Sequence, residues 1–164
     1  MRLKNVLLIL LALSLAATAW AQTKTSGTLQ CGKSDPSYQI PVGDRPDHVF
    51  SIGKAKCTWS TALEMAGTQS KDHESASFAD IRGARGQVRT ADVGTMANGD
   101  KYFVSTQGTT TVKEGVTQTY EGTWRYTGGT GKLKGLKGKG TFKGKAGADG
   151  AMTVEVEGEY QLPK

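Results

Sequence analysis

The sequence predicts an all-β fold, an antiparallel sheet closed or nearly closed into a barrel, and three observations predict it. Glycine is abundant, 22 of 164 residues, and much of it falls in turn-like clusters between short runs of Val, Thr, Tyr, Phe and Trp. From Phe78 onward hairpins are legible, and between Val116 and Tyr126 the side chains alternate with period two, the pattern of a strand with two distinct faces. No stretch holds a helical period over about ten residues or more, so helices contribute little. Short strands with regularly spaced turn signals describe a sandwich or a barrel.

The first 21 residues are read as a secretory leader and residues 22–164 as the exported domain. Arg2 and Lys4 supply a positive start, Val6 to Ala17 is almost unbroken in apolar residues, and Ala19-Trp20-Ala21 has the small-x-small form of a cleavage site. The apolar run is shorter than the roughly 18 to 20 residues that span a bilayer, and no later stretch approaches that length. The mature chain is therefore expected to hold no transmembrane segment. Such a short leader points to a bacterial protein, periplasmic or secreted. Losing Arg2 and Lys4 lowers the formal charge from +6 to +4, too mildly basic for a nucleic-acid footprint. Cys31 and Cys57 are the two cysteines, and in an oxidising compartment a single disulfide is expected between them. It would close a loop of about 27 residues, worth roughly 3 to 4 kcal/mol in the chain-entropy account.

Along the exported chain, Thr25–Lys33 reads as a first strand. Ser34–Pro46, with three of the four prolines, reads as an ordered loop. His48–Trp59 reads as a second strand, with Val49, Phe50, Ile52, Cys57 and Trp59 as its β signal. Ala62 to Ala66 is too short and too close to Gly67 to count as a helix, and polar Gln69–Ser77 reads as an exposed connection. Asn98-Gly99, between Val88–Met96 and Lys101–Thr111, is a strong hairpin signal. Lys113-Glu114-Gly115 turns the chain again. The next strand places Val116, Gln118, Tyr120, Trp124 and Tyr126 on one face. Gly128–Gly135 breaks the pattern and suits a short helical turn with Leu133 and Leu136 tucked in.

Two strands, Lys137–Lys145 and Ala151–Gln161, close the chain, and their charges bear on their register. Lys137, Lys139, Lys143 and Lys145 share one face of the first; Glu155, Glu157 and Glu159 share one face of the second. Opposed residues point to the same side of a sheet, so Lys faces Glu only if paired numbers sum to an even value. An odd-length connection around Ala146–Gly150 is therefore expected, with Lys139 near Glu157 and Lys137 near Glu159.

Candidate chemistry is sparse. Gly27 to Ser34 matches the phosphate-loop pattern literally, but that mechanism needs a helix after the loop, and Asp35-Pro36 follows instead. His48 and His73, each beside acids, read as solvated polar residues rather than ligands, so no metal and no cofactor are implied. No nucleophile elbow or catalytic cysteine signature is present, and no catalytic residue is assigned. Lys132–Lys145 holds six lysines and no acid; a solvated face opposite the glutamates explains it, and a patch for an anionic partner is the alternative. Gly138, Gly140 and Gly144 share a face near Tyr120, Trp124, Phe142 and Tyr160. Small residues beside aromatics either let a narrow barrel close tightly or line a cavity for a small apolar ligand.

Two stretches carry a resemblance. Gly43-Asp44-Arg45-Pro46-Asp47-His48 with Lys56-Cys57-Thr58-Trp59, and Gly122 to Gly135 with the following Gly138-Lys139-Gly140-Thr141, resemble uncharacterised bacterial secreted proteins with an allene oxide cyclase-like, lipocalin-related barrel. The resemblance implies eight antiparallel strands and a calycin-type fold. It implies no catalytic residue here. Taken together, the reading is an exported β-barrel binding a small apolar ligand in its interior through Tyr120, Trp124, Phe142 and Tyr160. Two alternatives stand beside it: a cofactor-free cyclase- or isomerase-like enzyme on a lipid-like substrate, and an envelope interaction module using the lysine face.

Overall fold

The structure, a computed structural model, describes residues 22–147 and 149–162; the leader assigned to residues 1–21 lies outside the described residues. Ten strands follow one another: β1 (Thr23–Cys31), β2 (Ser37–Pro41), β3 (His48–Trp59), β4 (Glu64–Met65), β5 (Thr68–Arg82), β6 (Arg85–Met96), β7 (Lys101–Lys113), β8 (Val116–Gly129), β9 (Lys137–Ala146) and β10 (Met152–Gln161). Eight of them, in the order β3-β1-β10-β9-β8-β7-β6-β5, form an antiparallel sheet that closes when β5 pairs back onto β3. β2 extends the free part of one β3 edge, and β4 makes a small hairpin with β5. The barrel abolishes the open edges that a flat sheet would expose.

Closure is uneven around the ring. β3 pairs with β5 along its length, from His48↔Arg82 to Cys57↔His73. Its join to β1 is only Leu29↔Trp59, Gln30↔Thr58 and Cys31↔Cys57. The last of these pairs is the disulfide expected from the cysteine count, so the shortest seam carries the covalent staple. Past Cys31 the wall on that side passes to β2, whose other edge has no strand partner among the described residues.

One end of the barrel is plugged. Met65 from the β4 hairpin, Met96, Tyr102, and Leu133 and Leu136 around the 3-10 turn Gly131–Leu133 form the buried floor, with Tyr126, Tyr160 and Leu162 packed against it. Ala66 and Gly67, both at positive φ, make the tight turn that delivers Met65. Glu114-Gly115 does the same between β7 and β8. Close backbone approach explains two cross-strand glycine pairs, Gly108↔Gly122 and Gly140↔Gly158. A Cβ at Gly108 or Gly122 would run into the facing backbone, and one at Gly140 or Gly158 would also strike the Trp124 indole. These are the corners at which the sheet curls.

Several local expectations change. Ser37–Pro41 is a strand, not part of a loop; Pro41 closes it on an outer strand, where a missing N–H is harmless. Gln69–Ser77 is no exposed connection but most of β5, with His73, Ser75 and Ser77 facing the interior. A bulge at Gln118 shifts the register of β8, so Tyr120, Trp124 and Tyr126 face inward while Gln118 is exposed. In the last hairpin the parity is as expected, but the register is two residues further on. Lys139 faces Glu159 and Lys143 faces Glu155, while Lys137 meets Gln161 and Glu157 meets Thr141. The turn recruits Gly147 and Ala151, joined by a backbone hydrogen bond, so the strands stop later than the charges suggested.

Gly94 presents a sharp test of packing, since the ring of Tyr102 lies where its Cβ would be. Gly94→Ala is expected to cost about 1 to 3 kcal/mol, as overpacking does. The penalty should shrink clearly in a Tyr102→Ala background; equal penalties in both backgrounds, by urea unfolding, would show that the ring is not the obstacle.

Candidate functional site

Above the floor the barrel is hollow. A cavity of about 450 Å³ runs up the interior, within the size range of small-molecule sites. Its mouth lies at the end opposite the floor, where Lys33, Ser37 and Gln39 near β2 face Gly115, Thr117 and Gly150. The space comes from small side chains on two neighbouring strands. β3 turns Ser51, Gly53 and Ala55 inward; β5 turns Ser75, Ser77 and Ala79 inward. Their larger neighbours Phe50, Ile52 and Phe78 lie on the outer face, where Ile52 and Phe78 are exposed.

Deep in this cavity sits a carboxylate. Asp92 on β6 is 6 % exposed and pairs across the sheet with Ser75 on β5. Its Oδ2 accepts a hydrogen bond from the Thr90 hydroxyl at 2.9 Å. Thr90 is itself 2.7 Å from the Thr106 hydroxyl, which is 2.5 Å from that of Tyr120. Because an ionised carboxylate only accepts, the protons of this chain all point one way, from Tyr120 to Thr106 to Thr90 to Asp92. Asp92 Oδ1 is buried with no partner. Burial pushes the Asp92 pKa up to about 6, against the opposing pull of the Ser75 and Thr90 hydroxyls. Burial likewise raises Tyr120 to about 12, so it remains a donor.

A second polar group stands diagonally across from Asp92, since His73 pairs with Gly94 on the same inward face. The Trp59 indole N–H donates to the Tyr102 hydroxyl at 3.0 Å, and that hydroxyl lies 3.2 Å from His73 Nδ1. The bond runs either way with the tautomer: Tyr102 donates when Nε2 carries the ring hydrogen, and Nδ1–H donates to the Tyr102 oxygen otherwise. Burial alone lowers the His73 pKa to about 4. The interior thus combines a carboxylate and a neutral imidazole on adjacent strands.

Neither histidine is the solvated residue that the sequence suggests. His73 is inside the barrel, and His48 is buried outside it, its ring nitrogens facing Asp44 and Asp80 with Arg82 Nε nearby. The bond to His48 is the main reason that Asp44 sits below its ordinary pKa. This cluster ties the loop before β3 to the end of β5 and takes no part in the cavity. The phosphate-loop lookalike forms β1 and a loop into β2, with no helix after it.

Of the four aromatic residues singled out in the sequence, Tyr120, Trp124 and Phe142 line the cavity. Tyr120 and Phe142 pack with ring centroids 4.4 Å apart. Tyr160 instead packs against the floor. The glycines beside them hold no open space: Trp124 covers Gly140, Tyr126 and Tyr160 cover Gly138, and Met152 and Val154 cover Gly144. Sequence reasoning missed Asp92, His73, Thr90 and Thr106. The available signal was a period-two series of small or polar residues, Ser51-Gly53-Ala55 and His73-Ser75-Ser77-Ala79, inside otherwise strand-like segments.

No family model matches the sequence, and no curated protein matches it either. Solved structures do resemble the fold. The pterocarpan synthase dirigent protein PsPTS1 superposes with a TM-score of 0.51 at 12 % identity, covering 88 % of this chain and 97 % of its own. The pterocarpan synthase dirigent protein GePTS1 gives 0.50 at 12 % identity, covering 88 % and 86 %. A pyocyanin demethylase gives 0.46 at 15 % identity, covering 82 % and 99 %. The first two likenesses support the antiparallel β-barrel fold and nothing about activity.

The buried acid and base have opposite effects on stability. Asp92, raised in the fold, favours folding as pH falls from about 6 toward 4; His73, lowered, opposes it over roughly the same interval. Comparison with Asp92→Asn isolates the acid. The ionised carboxylate costs on the order of 2 to 3 kcal/mol above pH 7. Stability of the variant relative to the native chain should therefore rise by about that amount between pH 4.5 and pH 7.5 in the absence of ligand. A pH-independent difference in urea titrations would mean that Asp92 is not held in this environment.

Proposed function

We propose that this protein is an exported binding barrel that takes one small, largely apolar molecule into its interior. The observation that carries the reading is the hollow on the β3–β5 side, large enough for a ligand of two or three fused rings and reachable from one end. Apolar wall is supplied by Val88, Val104, Val154, Val156 and Phe142, and the polar groups are few and deep. That distribution suits burial of an apolar body with one or two oriented polar contacts. The disulfide is compatible with an oxidising compartment, in keeping with a leader over residues 1–21 and a periplasmic or secreted protein. The lysine face is solvated on β9, opposite Glu155 and Glu159, which supports a surface role ahead of a binding one.

A second reading, an enzyme acting on the same ligand, is favoured by one specific observation. Asp92 and His73 place a carboxylate and a neutral imidazole within one cavity, the kind of pairing that proton transfer requires. The two readings share the site and differ in whether the ligand leaves changed.

Native mass spectrometry of the protein recovered from its own periplasm or medium tests the binding reading. A retained small molecule on a chain that starts at Gln22, two hydrogens lighter than the reduced form, is the expected result. Val88→Trp, which fills the upper cavity, should abolish retention while leaving the fold intact by circular dichroism. Retention unaffected by that change would place the ligand elsewhere, and a chain that still begins at Met1 would remove export. Release of a chemically altered molecule after incubation would select the enzyme.

A further inference from the structure

The interior charge is unbalanced. Among the described residues, Asp92 is the only acidic side chain that lines the cavity, and no arginine lines it. Lys33 is exposed at the mouth and faces water. The groups that face Asp92 from neighbouring strands are Ser75 and His73 on β5, Tyr102 and Thr106 on β7 and Tyr120 on β8. All of them are neutral near pH 7, since His73 is lowered to about 4 and both tyrosines are raised to about 12. One oxygen of the carboxylate accepts from Thr90; the other is buried without a hydrogen bond of normal geometry, with the Ser75 hydroxyl close enough to lower the pKa. Buried polar atoms in folded proteins are nearly always satisfied, so an unpaired carboxylate oxygen in a cavity marks the place of a missing donor.

We propose that the interior site is selective for an organic cation, a protonated amine whose N–H donates to the Asp92 carboxylate while its apolar body fills the space beside Tyr120, Phe142 and Val104. This deepens the binding reading above and rests on it. A neutral hydroxyl would satisfy the oxygen but leave the charge uncompensated in a low-dielectric interior, whereas an ammonium group does both. An anionic ligand would put two like charges together. The aromatic wall adds to the preference, because ring faces attract a desolvated cation. The hydroxyl chain from Tyr120 holds one carboxylate oxygen in place, so the carboxylate meets the ligand in a fixed orientation.

Three probes of one shape separate the possibilities: 2-naphthylmethylamine, 2-naphthylmethanol and 2-naphthoate, titrated calorimetrically into the disulfide-bonded chain at pH 7.5 and pH 5. The amine is expected to bind about tenfold or more tighter than the alcohol at pH 7.5, with the carboxylate weakest. That advantage should fall several-fold at pH 5, where Asp92 takes up a proton while the amine stays charged. Asp92→Asn should remove the preference, bringing the amine to within about twofold of the alcohol in the same variant, an isosteric change that the fold tolerates by circular dichroism. Equal binding of amine and alcohol, or a preference that survives in Asp92→Asn, would overturn the cation inference and leave the binding barrel standing. Failure of all three probes to bind, or binding unchanged by Val88→Trp, would instead remove the interior site itself, and this inference with it.

Discussion

The structure depends on closing a curved sheet through one strand, β3. That strand must satisfy β5 along one edge while β1 and β2 divide the other. The join to β1 is three residue pairs long, far shorter than the β1–β10, β5–β6 or β6–β7 ladders. So short a ladder brings few cross-strand contacts to offset the entropy of bringing distant segments together. Placing the Cys31–Cys57 bridge in that ladder holds the seam where pairing is thinnest. The same division of the edge places the β1–β2 connection at the mouth, so the method of closure also sets the way in.

Once closed, the barrel splits into a filled half and a hollow half. On β8, β9 and β10 glycines let the strands curl tightly, and Trp124 and Tyr126 lie directly over them. On β3 and β5 small side chains face inward with nothing large opposite, and the cavity results. Both halves use small inward residues, yet with opposite outcomes. The difference lies in whether an aromatic from the neighbouring strand lies across them. The floor completes the arrangement: Met65, Met96, Leu133 and Leu136 form a compact apolar plug, so the polar groups above it are deep without being open at both ends.

This division explains what could be read from the chain. Fold class, the disulfide, the Asn98-Gly99 and Glu114-Gly115 turns, and the buried Leu133 and Leu136 follow from local rules that need no partner strand. The lysine–glutamate parity is as expected, because side-chain alternation is set by the backbone; the two-residue slip comes from a turn of the expected length placed one residue further on, a position that no charge specifies. The site was hidden by an inverted pattern. Apolarity usually marks the inward face, but on β3 and β5 Ile52 and Phe78 point out while Ser51, Ser75, Ser77 and His73 point in. Polar residues that line a cavity look like a solvated loop, and so Gln69–Ser77 reads as a connection although it is the first part of β5. Asp92 offered no local cue at all, since its role arises from Thr90, Thr106 and Tyr120 on three different strands.

That inverted pattern also argues against a purely structural interior. A barrel selected only for stability would fill β3 and β5 with valine and leucine, gaining apolar burial at about 25 cal/mol per Å². This chain keeps serines, alanines and a desolvated carboxylate there, each giving up stability. The hydroxyl chain softens the cost at one carboxylate oxygen only, leaving the other as the one buried side-chain polar atom without a hydrogen bond among the described residues. A ligand that pairs with it contributes its contacts and relieves a penalty already present in the empty barrel, so folding and binding are linked through one side chain. Under the binding proposal, the cost of burying the carboxylate and the selectivity of the site are two consequences of the same choice at position 92.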